Sequence, residues 1–409
     1  MVIPTRELAV RVFGREGDLL ADTATQALIV ASSILVTGGI LISPMIADLA
    51  TVFAVSEARG GWLIVSYTAA AAICLPIVGA LSDRLGRKPV MTAGLVLFGI
   101  AGAAVGVVST FETALFMRAL QGIGFACATP VILTLIGDLY SGTRETTVQG
   151  MRVSANSLMN AVAPLIGGLL FVYSWRTPFL LYFLTLPVAL WVWQSVPEIQ
   201  PQNDWSYREY FDNTLVALQQ KAMVLLMISF ALRFVLFYGL ITYISVLAKQ
   251  EAAMTVVAVG VLMSVRGIAK TAMSTQVGRL SVDYDTVLLT CVSFFFLSLG
   301  IVIMGAMPNV LMLTFGITVV GIADGVLSPA QKSIVNKFSS TGTRGGVMST
   351  AVTMQNIGQV IGPIIFSVMM GFVGVSQTFL TLGASVGALG VVSVAGILYL
   401  GNPLDSKLS

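Results

Sequence analysis

The sequence predicts an all-α integral membrane protein, with twelve transmembrane helices in two pseudo-symmetric six-helix bundles. Three observations predict it. Of 409 residues, 56% are apolar and only 10% are charged, whereas a soluble domain carries about 25% charged residues. That leaves too few charges to cover a water-facing surface. Apolar runs of about 20 residues, the length that crosses a bilayer, recur along the whole chain. The basic residues, finally, collect on one side of the alternating segments that these runs define.

Hydropathy and loop punctuation place the spans at 24–47, 61–82, 90–108, 113–137, 147–172, 178–196, 222–247, 254–276, 286–306, 309–334, 345–371 and 376–400. Residues 1–23 precede them as a cytoplasmic arm. The arm carries Arg6, Arg11 and Arg15 among acids and lacks the short apolar core and small-residue cleavage site of a secretory signal. The first bundle is 24–196 and the second 222–400. Between them, 197–221 contains Pro197, Pro201, Asn203 and Asp204 and reads as a cytoplasmic linker; 401–409 is a short tail.

Charge placement tests this count. With the N-terminus in the cytoplasm, fifteen of the 22 Lys and Arg fall in cytoplasmic segments or, as Arg152 and Lys332 do, near the cytoplasmic ends of spans, and three (Arg59, Arg176 and Lys249) fall in outer segments. A missed helix would scramble this positive-inside bias. It places both termini in the cytoplasm of a multi-pass plasma-membrane protein. The other four, Arg118, Arg233, Arg266 and Lys270, fall deeper inside spans.

The halves also share a spacing. Gly79, Leu81 and Ser82 match Gly278, Leu280 and Ser281 at an offset of 199, and Pro130 with Pro329 and Pro164 with Pro363 keep it. One offset held from the second to the fifth helix indicates duplication. Parallel repeats of this kind recur in carriers.

Several function classes drop out. There is no histidine, so no His-based catalysis or metal ligation. Cys74, Cys127 and Cys291 sit singly in apolar runs, suiting neither a disulfide framework nor a metal site. Nothing matches G-x-x-x-x-G-K-[ST], which argues against direct ATP coupling. An enzyme, a cofactor, a metal and a nucleic-acid partner are not expected. The expected partners are the lipid bilayer and a small solute, and the expected state is a monomer.

The motifs are more specific. After the second span the chain reads Gly79-Ala-Leu-Ser-Asp83-Arg84-Leu-Gly86-Arg87-Lys88. Gly79 permits close helix approach, Gly86 a tight turn, and Asp83 can face the positive N-terminal end of another helix. The basic cluster suits anionic headgroups. The fourth span carries Arg118-Ala-Leu-Gln121-Gly122-Ile-Gly124 and ends on Asp138-Leu-Tyr-Ser-Gly-Thr-Arg144. The fifth holds Asn160-Ala-Val-Ala-Pro164-Leu-Ile-Gly167-Gly168, and the eleventh Gly358-Gln-Val-Ile-Gly362-Pro363. Pro removes a backbone donor and can kink a helix.

Together these segments resemble the major facilitator superfamily, closest to its drug/proton antiporter-like branch. The loop at 79–88 fills every main position of the family's G-x-L-a-D-r-x-G-r-k pattern. The fourth-helix run is similar to R-x-x-q-G-x-g, and the fifth-helix run to an antiporter G-x-x-x-G-P-x-x-G-G with Met159 and Ala163 at two glycine positions. The resemblance implies a secondary transporter working by alternating access of two bundles around a midplane site. In it Gly79, Asp83, Arg84, Gly86, Arg87 and Lys88 act with Asp138 and Arg144 in cytoplasmic gating. Arg118 and Gln121 serve substrate or proton coupling, and Pro164, Gly167, Gly168, Gly362 and Pro363 shape helix kinks. Proton-coupled efflux by antiport is the implied activity. Proton-coupled uptake of an organic anion and a non-transporting sensor are the alternatives, the latter disfavoured by the intact latch loop.

The charges within spans complete the candidate set. A charge at helix centre costs about 2.5–3.5 kcal/mol on insertion scales, so each needs a partner, water or a task. Arg118 pairs with backbone carbonyls or a polar neighbour, or it takes part in coupling. Arg266 and Lys270 are four residues apart and share a helix face. Asp324 is the one carboxylate well inside a span. It is either the counter-ion that makes Arg233, Arg266 or Lys270 tolerable or a protonation site. The excess of cations, if it faces a cavity, favours an anionic or amphipathic solute.

Overall fold

The computed structural model describes residue 19 and residues 21–198, 220–339 and 344–400, without the side chains of Gly79, Ala80, Asp83, Arg344 and Gly345. The arm, most of the linker and the tail therefore lie outside the described residues. All regular structure among them is helical. In chain order the helices are α1 (Thr23–Ile40), α2 (Ile46–Val52), α3 (Glu57–Gly60), α4 (Trp62–Leu85), α5 (Arg87–Ala104), α6 (Phe111–Leu139), α7 (Thr143–Phe171), α8 (Thr177–Leu180) and α9 (Thr185–Ser195). After the linker come α10 (Lys221–Ala252), α11 (Val256–Ser274), α12 (Val277–Asp283), α13 (Thr286–Ala306), α14 (Val310–Phe338), α15 (Arg344–Val373) and α16 (Val375–Leu400). Short 3₁₀ turns join α1 to α2 and α8 to α9.

Among the described residues, eleven stretches are long and apolar enough to cross a membrane. They match eleven of the twelve expected spans. The remaining one, 90–108, is α5, whose first turn carries Arg87 and Lys88. The helices outrun the hydropathy signal: α10 extends to Ala252 and α14 to Phe338. Hydropathy measures the apolar stretch, while backbone hydrogen bonding continues into the polar interface. For the same reason the expected loop at 79–88 is mostly the helical end of α4. Only Gly86, at φ 92°, breaks the helix. The first span likewise continues to Val52, which brings Asp48 inside a helix.

Helix starts follow capping chemistry. Thr110, Thr255, Asp285 and Asn309 each accept a backbone N–H from the first turn, satisfying donors that the helix leaves open. Asp22 does the same for α1, accepting from the Thr25 amide at 2.9 Å, and it also accepts the Tyr140 hydroxyl at 2.5 Å. Burial pushes the Asp22 carboxyl up. The hydrogen bonds from Tyr140 and Thr25 outweigh this and hold it below the usual carboxylate range. Its contribution to stability is therefore full above the unfolded carboxylate pKa and fades as pH falls toward the folded value. Asp22→Ala is expected to cost about 0.5–2 kcal/mol at neutral pH. In thermal melts of the two proteins the gap should begin to narrow as the pH falls through about 3.9 and reach its minimum only below the lower folded value.

The chain divides into two compact units, Met1–Ile42 with Ser66–Asn203, and Ser43–Val65 with Asp204–Ser409. In the first unit α5 packs on α6, α1 on α7, and α9 on α5 and α1. In the second α13 packs on α14 and α16, α10 on α15 and α16, and α11 on α14. The repeat is visible in these pairings and in register. Helices α6 and α14 begin and end 199 positions apart (111 and 310, 139 and 338), each with an internal proline, Pro130 and Pro329. Chain order puts Ser43–Val65 in the first bundle, but it groups with the second unit. There Lys249 Nζ reaches Asp48 Oδ1 at 2.7 Å, and the Tyr243 and Ser367 hydroxyls both donate to the Ala58 carbonyl at 2.9 Å.

Candidate functional site: an ion cluster in the second unit

The second unit buries its charges on three helices. Glycine sets the spacing. A Cβ on Gly321 of α14 would lie 2.6 Å from the Arg266 carbonyl of α11, and one on Gly325 would lie 2.6 Å from the Lys270 carbonyl. With no side chain at either position, α11 and α14 pack backbone to backbone. Asp324 sits between these glycines and is thereby brought beside the cations of α11. Gly321→Leu is expected to push the helices apart and cost about 1–3 kcal/mol, read as a lower unfolding temperature of the purified protein.

Asp324 is 1% exposed. Its Oδ1 accepts from Arg233 Nε at 2.9 Å and Nη2 at 2.5 Å. Its Oδ2 lies 2.6 Å from Lys270 Nζ, an ion pair. Arg233 is completed by Gln331, whose Oε1 accepts from Nη1 at 3.2 Å, while Gln331 Nε2 donates to the Ser229 hydroxyl at 2.9 Å. Lys270 remains about a third exposed, with a side-chain accessibility of 34%. Arg266 differs from both. It is 1% exposed, yet its Nε and Nη1 meet no acceptor among the described residues. Its guanidinium stands 4.8 Å from the Phe237 ring centroid. Of the four charges expected within spans of this unit, three therefore bind one another, and the Nε and Nη1 of Arg266 make no hydrogen bond among the described residues.

In the first unit Arg118 is buried on α6. Its Nη2 donates to the Gly38 carbonyl of α1 at 2.7 Å and its Nη1 to Gln121 Oε1. The Tyr67 ring centroid lies 4.6 Å away. Tyr182 adds a hydroxyl that donates to the Thr37 carbonyl at 3.2 Å. Carbonyl dipoles, an amide and an aromatic face thus surround the charge.

The repeat relates the two sites. Gly122, Tyr67 and Phe125 stand 199 positions before Gly321, Arg266 and Asp324. A Cβ on Gly122 would strike the Tyr67 carbonyl, as one on Gly321 would strike that of Arg266. Tyr67 and Phe125 make a ring contact at 5.7 Å. One backbone frame therefore holds an aromatic pair in the first unit and an acid–base cluster in the second.

The other expected positions are as follows. Of the two partners open to Asp138, the structure pairs it with Arg87. Lys88 Nζ stands 5.0 Å from the Trp193 ring centroid, and Arg84 and Arg144 are exposed. The Gly79 and Asp83 side chains lie outside the described set. Helix α7 runs through Pro164, with Gly167 and Gly168 buried, and α15 runs through Pro363. Gly358 and Gly362 take up the close approach of α15 to α10, where added Cβ atoms would meet the carbonyls of Ala231 and Val235.

Sequence reasoning missed one polar patch. Arg152, counted with the cytoplasmic charges although the expected span 147–172 contains it, lies two turns inside α7, its Nε donating to Gln149 at 2.9 Å and its Nη1 reaching the Ser32 hydroxyl of α1 at 3.4 Å. Asn156 donates to the same hydroxyl at 3.0 Å. The signal was the polar stripe Gln149, Arg152, Asn156 and Asn160 at helical spacing.

The chain resembles known proteins along most of its length. The Major Facilitator Superfamily model matches residues 28–307 and 226–408. The bacillibactin exporter of Bacillus subtilis is 25% identical over 352 residues, covering 82% of this chain and 87% of that protein. Multidrug resistance protein D of Escherichia coli is 30% identical over 186 residues, 42% of this chain and 45% of its own. Among solved structures, a bacterial homolog to the human lysosomal transporter Spinster superposes with a TM-score of 0.78 at 15% identity, covering 98% of this chain and 99% of that one. The nucleoside transporter NupG follows with a TM-score of 0.77 at 15% identity, covering 93% and 100%. At such identities the structural likeness concerns the fold.

Proposed function

Because the chain belongs to the Major Facilitator Superfamily, and is thus a membrane-embedded transporter rather than an enzyme, we propose that it exports a small organic solute in exchange for protons. The exporter and multidrug names of its relatives support the outward direction. One observation carries the proton: the Asp324 carboxylate, 1% exposed and held by Arg233 and Lys270. A buried acid that can trade two cations for a proton is a switch between two charge arrangements of one bundle. In this reading the plasma membrane is the site of action, the termini are cytoplasmic, the working unit is a monomer, and the loop at 79–88 with the Arg87–Asp138 pair gates the cytoplasmic side.

A second reading, inward symport of an organic anion, is favoured by the charge count of the same cluster. Three cations face one acid, and a proton on Asp324 frees positive charge for an anion. The proton and the anion then favour each other. The test begins with a solute found by thermal-shift screening of purified protein, since a ligand of the native fold raises apparent stability. In everted vesicles with an acidic lumen this solute is expected to accumulate only while the outward-directed proton gradient stands, and a protonophore should abolish the accumulation. Accumulation indifferent to the protonophore would contradict proton coupling.

A further inference from the structure

Among the described residues of the second unit, Arg266 is the buried cation that the cluster leaves unsatisfied. Arg233 spends every nitrogen on Asp324 and Gln331. Lys270 holds the other carboxylate oxygen. With the two Asp324 oxygens turned to Arg233 and Lys270, Arg266 keeps its charge and two nitrogens without an acceptor among the described residues. Leaving a charged donor buried and unmatched is costly, and a position that serves only packing has no need of it, since Tyr67 fills the equivalent place in the first unit.

The surroundings of Arg266 are also those of a ligand. Phe234, Phe237 and Tyr238 form a half-buried aromatic trio on α10, with ring centroids 5.5 to 6.2 Å apart. Both Arg266 and Lys270 stand over the Phe237 ring, at 4.8 and 5.7 Å. A cationic anchor beside a half-buried aromatic trio fits a solute with an oxyanion at one end and a flat apolar body at the other.

We infer that Arg266 is the anion-binding group of the transport site, taking the oxyanion of an amphipathic aromatic solute whose ring lies against Phe237 and Tyr238. The inference rests on the transport reading but not on its direction or its coupling ion, because binding is measured on its own.

The experiment uses the full chain in detergent and two matched probes, 2-naphthoate and its neutral amide, 2-naphthamide, with affinities read by isothermal calorimetry at neutral pH. A charge-assisted contact predicts naphthoate binding about tenfold or more tighter than naphthamide. Arg266→Gln should remove that preference and leave naphthamide affinity unchanged. Arg266→Lys, which keeps the charge but not the planar fork, should retain part of it. If Arg266→Gln fails to fold, the wild-type preference and the Arg266→Lys loss still decide. No saturable naphthoate binding by the wild type, equal affinity for the two probes, or an unaltered preference in either variant would overturn the inference. Any of these could occur while proton-driven transport of another solute persists, so its failure is separable from failure of the transport reading.

Discussion

Asp324→Asn is expected to cost about 3–5 kcal/mol of stability and to abolish gradient-driven accumulation of solute. The carboxylate accepts two donors from Arg233 and pairs with Lys270. An amide keeps one acceptor oxygen, brings two donors toward cations, and carries no charge. Arg233, 3% exposed, is then left charged and uncompensated in the bundle interior. The cost lies in the stranded cation more than in the lost hydrogen bonds. A double variant checks this. Adding Lys270→Met to Asp324→Asn removes one stranded charge and should recover part of the stability. Lys270→Met alone should be mildly destabilising, because Lys270 is already partly solvated. Thermal unfolding of the four proteins gives the coupling directly; additive losses would show that the three charges do not act as a unit.

The second large effect is at Arg118. Arg118→Lys is expected to lower stability by about 1.5–3 kcal/mol although the charge is kept. The guanidinium reaches the Gly38 carbonyl on α1 and Gln121 Oε1 on its own helix at once. A single ammonium cannot span both in that geometry. The Gly38 carbonyl or the Gln121 oxygen then loses its donor inside the bundle. An unchanged melting temperature would mean that water supplies these groups and that Arg118 does not hold α1 to α6.

Much of the fold was readable because bilayer physics leaves few options. Apolar runs, the positive-inside bias and one offset of 199 sufficed for the helices and the repeat. Helix ends were not readable, because hydropathy stops where water begins and hydrogen bonding does not. For that reason the expected first span, 24–47, stops short of Asp48, which a helix contains. The cluster was half legible. Arg233, Arg266, Lys270 and Asp324 announced themselves as charges within spans, but their pairing did not. Which cation takes which carboxylate oxygen depends on how Gly321 and Gly325 seat α14 on α11. Gln331 and Ser229, which complete Arg233, are ordinary polar residues in sequence. Equally, nothing before the structure marked Arg266 and Tyr67 as equivalent positions. That equivalence appears once the 199 offset is read together with the two glycine contacts.

Exchange and symport differ in the direction in which protons move when solute leaves. Proteoliposomes can be loaded with the solute identified by thermal shift, diluted into solute-free medium at equal pH, and followed with an internal pH dye. Exchange predicts that solute efflux draws protons in and acidifies the interior, and that Asp324→Asn vesicles show no such change. Alkalinisation of the interior, with protons leaving alongside the solute, or efflux with no pH change at all, would contradict it.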